Sequence, residues 1–128
     1  MMMLADRKRV LIAEDEVALA AAYAREFRGA GFEADVVHSG ADALALLNSG
    51  IPFAALILDI GLPGLDGRDV LASLQNDEVH RGLPVIVVSG REDDYTRSLV
   101  LALGARDLVT KPAYAGQLVG RVTRSMAE

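Results

Sequence analysis

Five side chains of this sequence have the types and spacing for phosphate or metal chemistry. Asp59 ends the apolar run Phe53-Ala-Ala-Leu-Ile-Leu58 and stands immediately before Ile60-Gly-Leu-Pro-Gly-Leu-Asp-Gly67. Glu14 and Asp15 follow Val10-Leu-Ile-Ala13, Ser89 follows Val85-Ile-Val-Val88, and Lys111 follows Leu108-Val-Thr110. Three carboxylates brought together without a counter-charge raise one another's pKa values. A hard divalent cation relieves that repulsion, and Mg²⁺ (or Mn²⁺) takes oxygen ligands while keeping several waters. The backbone carbonyl of Gly61, two residues beyond Asp59, can supply one more oxygen. Lysine offers a point charge to a phosphoryl oxygen or a carboxylate, and a serine hydroxyl can donate to an oxyanion.

Each residue also has an ordinary reading. Glu14 and Asp15 suit the start of a helix, where acidic side chains are favoured. Ser89 suits an N-cap, and Lys111 suits a solvated position before a helix-starting proline. The Lys111-Pro112 bond can be trans or cis. Singly, the ordinary readings are the stronger; it is the recurrence of polar residues at the ends of apolar runs that favours a shared site.

The elements that must position these residues alternate along the chain. Val10 to Ala13, Phe53 to Leu58 and Leu83 to Val88 are continuously apolar, as in parallel strands covered on both faces. Glu33 to His38 is more polar and suits an edge strand, and Asp107 to Thr110 forms a brief fifth run. Between them, Glu16 to Arg28 carries Leu19, Tyr23 and Phe27 at four-residue intervals, an apolar stripe that places Tyr23 and Phe27 in a core. Gly29 or Gly31 can end that helix. Ser39 with Asp42 resembles a capping box, opening a helix that runs to Gly50. Further helices are expected over Asp66 to Asn76, Glu92 to Leu103 and about Tyr114 to Met126; Gly116 and Gly120 weaken the last, whose final turns should fray.

Strand and helix repeated five times predicts one α/β domain with a parallel sheet and helices on both faces. Ligands of such sheets bind at the carboxyl ends of the strands, the edge already marked by the polar residues. At 128 residues, 52% apolar and 24% charged, the chain matches one globular domain. A net charge of −5 argues against a dedicated nucleic-acid binder, and the absence of cysteine excludes disulfides and thiolate metal sites. No secretory signal or run of about 20 apolar residues is present, so the chain reads as a cytoplasmic protein with no membrane partner. His38 and His80 lack ligand-like spacing with the carboxylates, and Arg7-Lys-Arg9 reads as a strand flank.

Taken in order, Val10-Leu-Ile-Ala-Glu-Asp-Glu16, Leu58-Asp-Ile-Gly-Leu-Pro-Gly-Leu-Asp-Gly67, Pro84-Val-Ile-Val-Val-Ser-Gly90 and Gly104-Ala-Arg-Asp-Leu-Val-Thr-Lys-Pro112 resemble the response-regulator receiver domain of two-component signalling. The resemblance, to a CheY-like single-domain receiver, covers essentially the whole chain. It implies a flavodoxin-like, five-stranded parallel sheet in the order 2-1-3-4-5, spanning 1–128 with residues 1–7 flexible. It implies Asp59 as phosphoacceptor, taking a phosphoryl group from a histidine kinase or histidine phosphotransfer protein. Asp15, Glu14 (through water), Asp59 and the Gly61 carbonyl would hold Mg²⁺, while Lys111 and Ser89 would contact the phosphoryl oxygens. Such a protein is not a conventional enzyme but assists its own Mg²⁺-dependent phosphorylation and dephosphorylation. Its output would be an altered protein-binding surface, and it would act as a monomer without binding nucleic acid directly.

The sequence departs from the family at Leu108, where an aromatic residue commonly relays the signal, and at Ala113, where an aromatic often follows Lys-Pro. Gly61 and Arg91 occupy positions that tune acyl-phosphate lifetime in the family. Two other functions are compatible with the residues: a degenerate receiver that binds partners without phosphate, and an aspartyl-phosphate phosphatase. The phosphatase lacks the second acid usual two residues past the nucleophile, where this chain has Gly61.

Overall fold

Alternate residues of each apolar run point to opposite faces of a sheet, and here both faces are covered. The computed structural model describes residues 8–90, 93–114 and 116–127. Its strands are β1 (Arg9–Ala13), β2 (Glu33–Val37), β3 (Ala55–Asp59), β4 (Val85–Ser89) and β5 (Asp107–Thr110). They pair in parallel in the order β2-β1-β3-β4-β5. That is the flavodoxin-like order, with the polar run Glu33–Val37 at an edge as its composition requires.

Five helices connect and flank the strands: α1 (Val17–Gly29), α2 (Gly40–Leu47), α3 (Gly67–Gln75), α4 (Asp94–Ala102) and α5 (Gln117–Ala127). Val10, Ile12, Ile57, Ile86, Val88 and Val109 face α1 and α5, where Tyr23, Phe27, Leu118 and Val122 complete one core. Leu11, Leu56, Leu58, Val85, Val87 and Leu108 face the other way, onto Leu47 of α2, Leu71 of α3 and Val100 of α4. A period of two in the strands and near four in the helices produces both layers.

Local chemistry sets the helix ends. Gly31, not Gly29, takes the left-handed conformation after α1, with φ of 95°. The Phe32 amide donates to the Phe27 carbonyl and the Gly31 amide to that of Arg28, while the rings of Phe27 and Phe32 meet edge to face at 5.4 Å. This is a Schellman motif with its hydrophobic contact. At α2, Ser39 accepts the Asp42 amide, one half of the expected box. The full reciprocal box occurs at α3, between Asp66 and Asp69.

Several boundaries differ from the sequence expectation: among them, β4 begins at Val85 rather than Leu83 and includes Ser89, and α2 ends at Leu47 rather than Gly50. Strand β3 begins at Ala55 rather than Phe53 and includes Asp59, so the acid belongs to the strand itself. Helix α5 begins at Gln117 rather than Tyr114, because Gly116 is left-handed at φ 77°; it then continues to Ala127 through Gly120. Helix α4 begins at Asp94, and the expected start at Glu92 lies outside the described residues, as do residues 1–7. No described helix is long and apolar enough to cross a membrane.

Candidate functional site

Strands β1, β3, β4 and β5 end together, and the polar residues that close them meet at one edge of the sheet. All five residues of β3 are buried, so Asp59 is delivered on a rigid support at 5% exposure. Gly67 makes this possible. A Cβ there would lie 2.6 Å from Ile60 Cα and 2.8 Å from the Asp59 carbonyl oxygen. Only glycine allows the start of α3 to pass this close behind the acid.

Glu14 follows β1 and is 1% exposed. Its Oε2 accepts the Glu16 amide at 3.0 Å ahead of α1, and its Oε1 lies 2.9 Å from Lys111 Nζ. Glu14 thus fixes the turn before α1 without capping the helix, whose N-cap residue is Glu16. Asp15 is exposed and caps nothing: α1 has no side-chain cap. One carboxylate oxygen from each of Glu14, Asp15 and Asp59 lies within 4.8 Å of the others.

Lys111 is the counter-charge. Its Nζ donates to Asp59 Oδ2 at 3.1 Å while pairing with Glu14, so it is not a solvated lysine. The Lys111-Pro112 bond is cis. The Lys111 amide also donates to the Ser89 carbonyl at 2.8 Å, tying the ends of β4 and β5. Ser89 is buried on β4, and the cap of α4 is Asp93, which accepts the Thr96 amide at 2.7 Å; the N-cap reading of Ser89 is set aside. Gly61 touches Asp59 through its amide, which donates to Oδ1 at 3.0 Å.

Electrostatics follow from burial of the carboxylates around Lys111. Burial pushes the Glu14 carboxyl up to about 7, against the Glu16 amide and Lys111. Desolvation acts on Asp15 in the same direction, but side-chain hydrogen bonding with Asp59 and Glu14 outweighs it and holds Asp15 below the ordinary carboxylate value. Desolvation opposes the charge of Lys111, yet its bonds to Glu14 and Asp59 dominate and hold the ammonium above its usual range. Three acids facing one lysine carry an excess of negative charge, and this donor set of hard oxygens fits a divalent cation.

A cavity of about 460 Å³ adjoins the site, lined by Ile60, Gly61, Arg68, Ser89, Tyr95 and Leu99 among others. A larger one, about 630 Å³, lies at the far end of the sheet between Leu47, Phe53, His80 and Pro84, remote from Asp59. His80 lines it, its Nδ1 2.7 Å from Asp77 and its Nε2 2.9 Å from the Leu47 carbonyl. His38 contacts the Glu14 carbonyl through Nδ1. Arg91 lies outside the described residues.

The model of the response regulator receiver domain family matches residues 10–123. The chain belongs to that family. Receiver domains are the phosphorylation switches of two-component signalling, working with sensor histidine kinases. This receiver domain is 42% identical over 114 residues to the sensory transduction protein RegX3 of Mycolicibacterium smegmatis, covering 88% of the chain and 48% of that protein. It is 35% identical over 116 residues to the DNA-binding response regulator MtrA of the same organism, covering 91% of the chain and 49% of the relative. The receiver domain thus spans about half the length of these curated relatives. A putative response regulator from Chloroflexus aurantiacus superimposes with a TM-score of 0.89 at 30% identity, covering 95% of this chain and 99% of that one. The chemotaxis protein CheY4 of Vibrio cholerae, at 19% identity and a TM-score of 0.87, shares the fold, over 93% of this chain and 98% of its own.

One residue near the site was read from sequence only as core. The Tyr23 ring does lie in the α1–α5 core, but its hydroxyl comes within electrostatic reach of Glu14, Lys111 and Asp59. The available signal was chemical: a tyrosine where phenylalanine packs equally well.

Proposed function

We propose that Asp59 is the phosphoacceptor of this receiver domain, and that its phosphorylation by a phosphohistidine of a kinase or phosphotransfer protein changes a protein-binding surface. The observation that carries this reading is Lys111 Nζ, held between Glu14 Oε1 and Asp59 Oδ2 at 2.9 and 3.1 Å. A nucleophilic carboxylate, a cation beside it and further acids form a preorganised site, and phosphoryl transfer depends chiefly on positioning and charge neutralisation.

In the transfer, an Asp59 oxygen attacks phosphorus as the donor's N–P bond breaks. The imidazole leaves with the bonding pair and takes a proton from solvent. Asp59 needs no base to activate it, since a carboxylate is already the nucleophile. Lys111 meets negative charge developing on the phosphoryl oxygens, and Ser89, on the neighbouring strand end, offers them a hydroxyl. Glu14, Asp15, Asp59 and the Gly61 carbonyl would hold Mg²⁺ (or Mn²⁺), which would supply further neutralisation of the phosphoryl charge. The retention of every one of these groups argues against a phosphate-independent module.

The partners follow from the same reading: a histidine kinase or histidine phosphotransfer protein upstream and a protein target downstream. The net charge of −5 disfavours direct contact of this portion with nucleic acid, whatever the longer relatives do. We place the domain in the cytoplasm as a monomer. The test is phosphorylation by acetyl phosphate with Mg²⁺, read by intact mass. Wild type should gain one phosphoryl group and Asp59→Asn none; equal labelling of the variant removes Asp59 from the role.

A further inference from the structure

Tyr23, in the middle of α1, is 2% exposed. Its ring belongs to the core formed with Phe27, Leu118 and Val122, against which Ala113 packs. Its hydroxyl has no hydrogen-bond partner. The Ala113 amide faces that oxygen without completing a bond, and Glu14, Lys111 and Asp59 all act on it electrostatically. Leaving a buried hydroxyl unpaired is destabilising, and phenylalanine would fill the core without that cost.

Tyr23 is not isolated in this. Among the described residues, Tyr23 Oη and Thr110 Oγ1 are buried hydroxyl oxygens with neither a hydrogen bond nor an ion pair. Thr110 immediately precedes Lys111, and Glu14 Oε1 is the atom paired with the Lys111 ammonium. Unsatisfied polar groups are few in native structures and call for a reason. Both hydroxyls adjoin the segment that carries Lys111, and each can gain a partner if that segment shifts in another state of the site.

Phosphorylation supplies such a state. Lys111 now divides its charge between Glu14 and Asp59. A phosphoryl group brings about −1.5 to −2 charges and three strong acceptors to Asp59. The ammonium follows that charge, and the adjoining backbone moves with it. We propose that Tyr23 is a positioning residue for phosphoryl transfer: its hydroxyl accepts the Ala113 amide hydrogen bond as Lys111 engages the phosphoryl group, and so holds the lysine there. This rests on Asp59 being the phosphoacceptor.

The proposal makes an asymmetric demand. The new bond is present when the phosphoryl group arrives and remains while it is bound, so it lowers the barrier to uptake and leaves the barrier to hydrolysis unchanged. Wild type and Tyr23→Phe are treated with acetyl phosphate and Mg²⁺, and uptake and subsequent decay are followed by intact mass. Uptake should slow about threefold or more in the variant, with decay unaltered and the melting temperature of the unphosphorylated protein equal or higher. The Ala113 amide proton should move downfield on phosphorylation in wild type only. Equal uptake in the two proteins, or a loss shared equally by uptake and decay, overturns the role of Tyr23. A wild-type protein that takes up no phosphoryl group overturns the reading of Asp59 instead.

Discussion

Lys111 stands between two carboxylates that would otherwise face each other across a buried strand edge. Replacing it by alanine leaves Glu14 and Asp59 without their cation, and the cost depends on pH. Burial raises the Glu14 carboxyl from 4.5 to about 7, so the folded chain keeps a proton that the unfolded chain releases. Stability from this group is complete below pH 4.5 and is lost as pH rises through 7. Lys111→Ala should therefore lose about 1–3 kcal/mol at pH 8, with a smaller loss at pH 5, where Glu14 is protonated. Urea unfolding at both pH values measures the difference. At this scale the sequence was informative wherever a polar residue closed an apolar run, as at Glu14, Asp59, Ser89 and Lys111. It could not show that Lys111 pairs with Glu14, nor that a core tyrosine aims its hydroxyl at the segment after Thr110. Those contacts join residues far apart in the chain.

Among the elements, α3 has the most completely specified start. Asp66 accepts the Arg68 and Asp69 amides, and Asp69 accepts the Asp66 amide in return. Burial tends to raise the Asp66 carboxyl, but the Asp69 amide and Arg68 outweigh it and hold it below 3.8. The cap contributes above pH 3.8 and is lost as pH falls through the depressed value. Asp66→Ala should cost about 1 kcal/mol at neutral pH, detectable as a lower urea midpoint with unchanged slope. The start of α5 shows why some boundaries were illegible. The Gly116 amide donates to Glu26 Oε2 of α1 at 3.1 Å, across 90 residues of sequence. No local pattern announces a cap contributed by another helix, whereas the glycine stop of α1 and the Ser39 cap of α2 are local and were readable.

For the whole molecule, the parallel sheet was legible because continuous apolar runs alternate with amphipathic segments. The strand order came from resemblance, since periodicity does not say which strand lies beside which. Leu108 is buried in the core facing α2, α3 and α4, so any rearrangement of that face proceeds without an aromatic side chain at this position. The placement of β3 has a consequence of its own. It lies between β1 and β4 with every residue buried, and the amides of such a strand open only when the whole domain does. Hydrogen exchange should find Leu56 to Leu58 among the slowest amides, with the loop after Asp59 far faster, and phosphorylation should alter exchange in the loops while leaving β3 protected. With Asp59 as the proposed phosphoacceptor, the phosphoryl group would be fastened to a fully buried strand, like a bell hung from a beam. What travels outward is carried by the hinges around that beam.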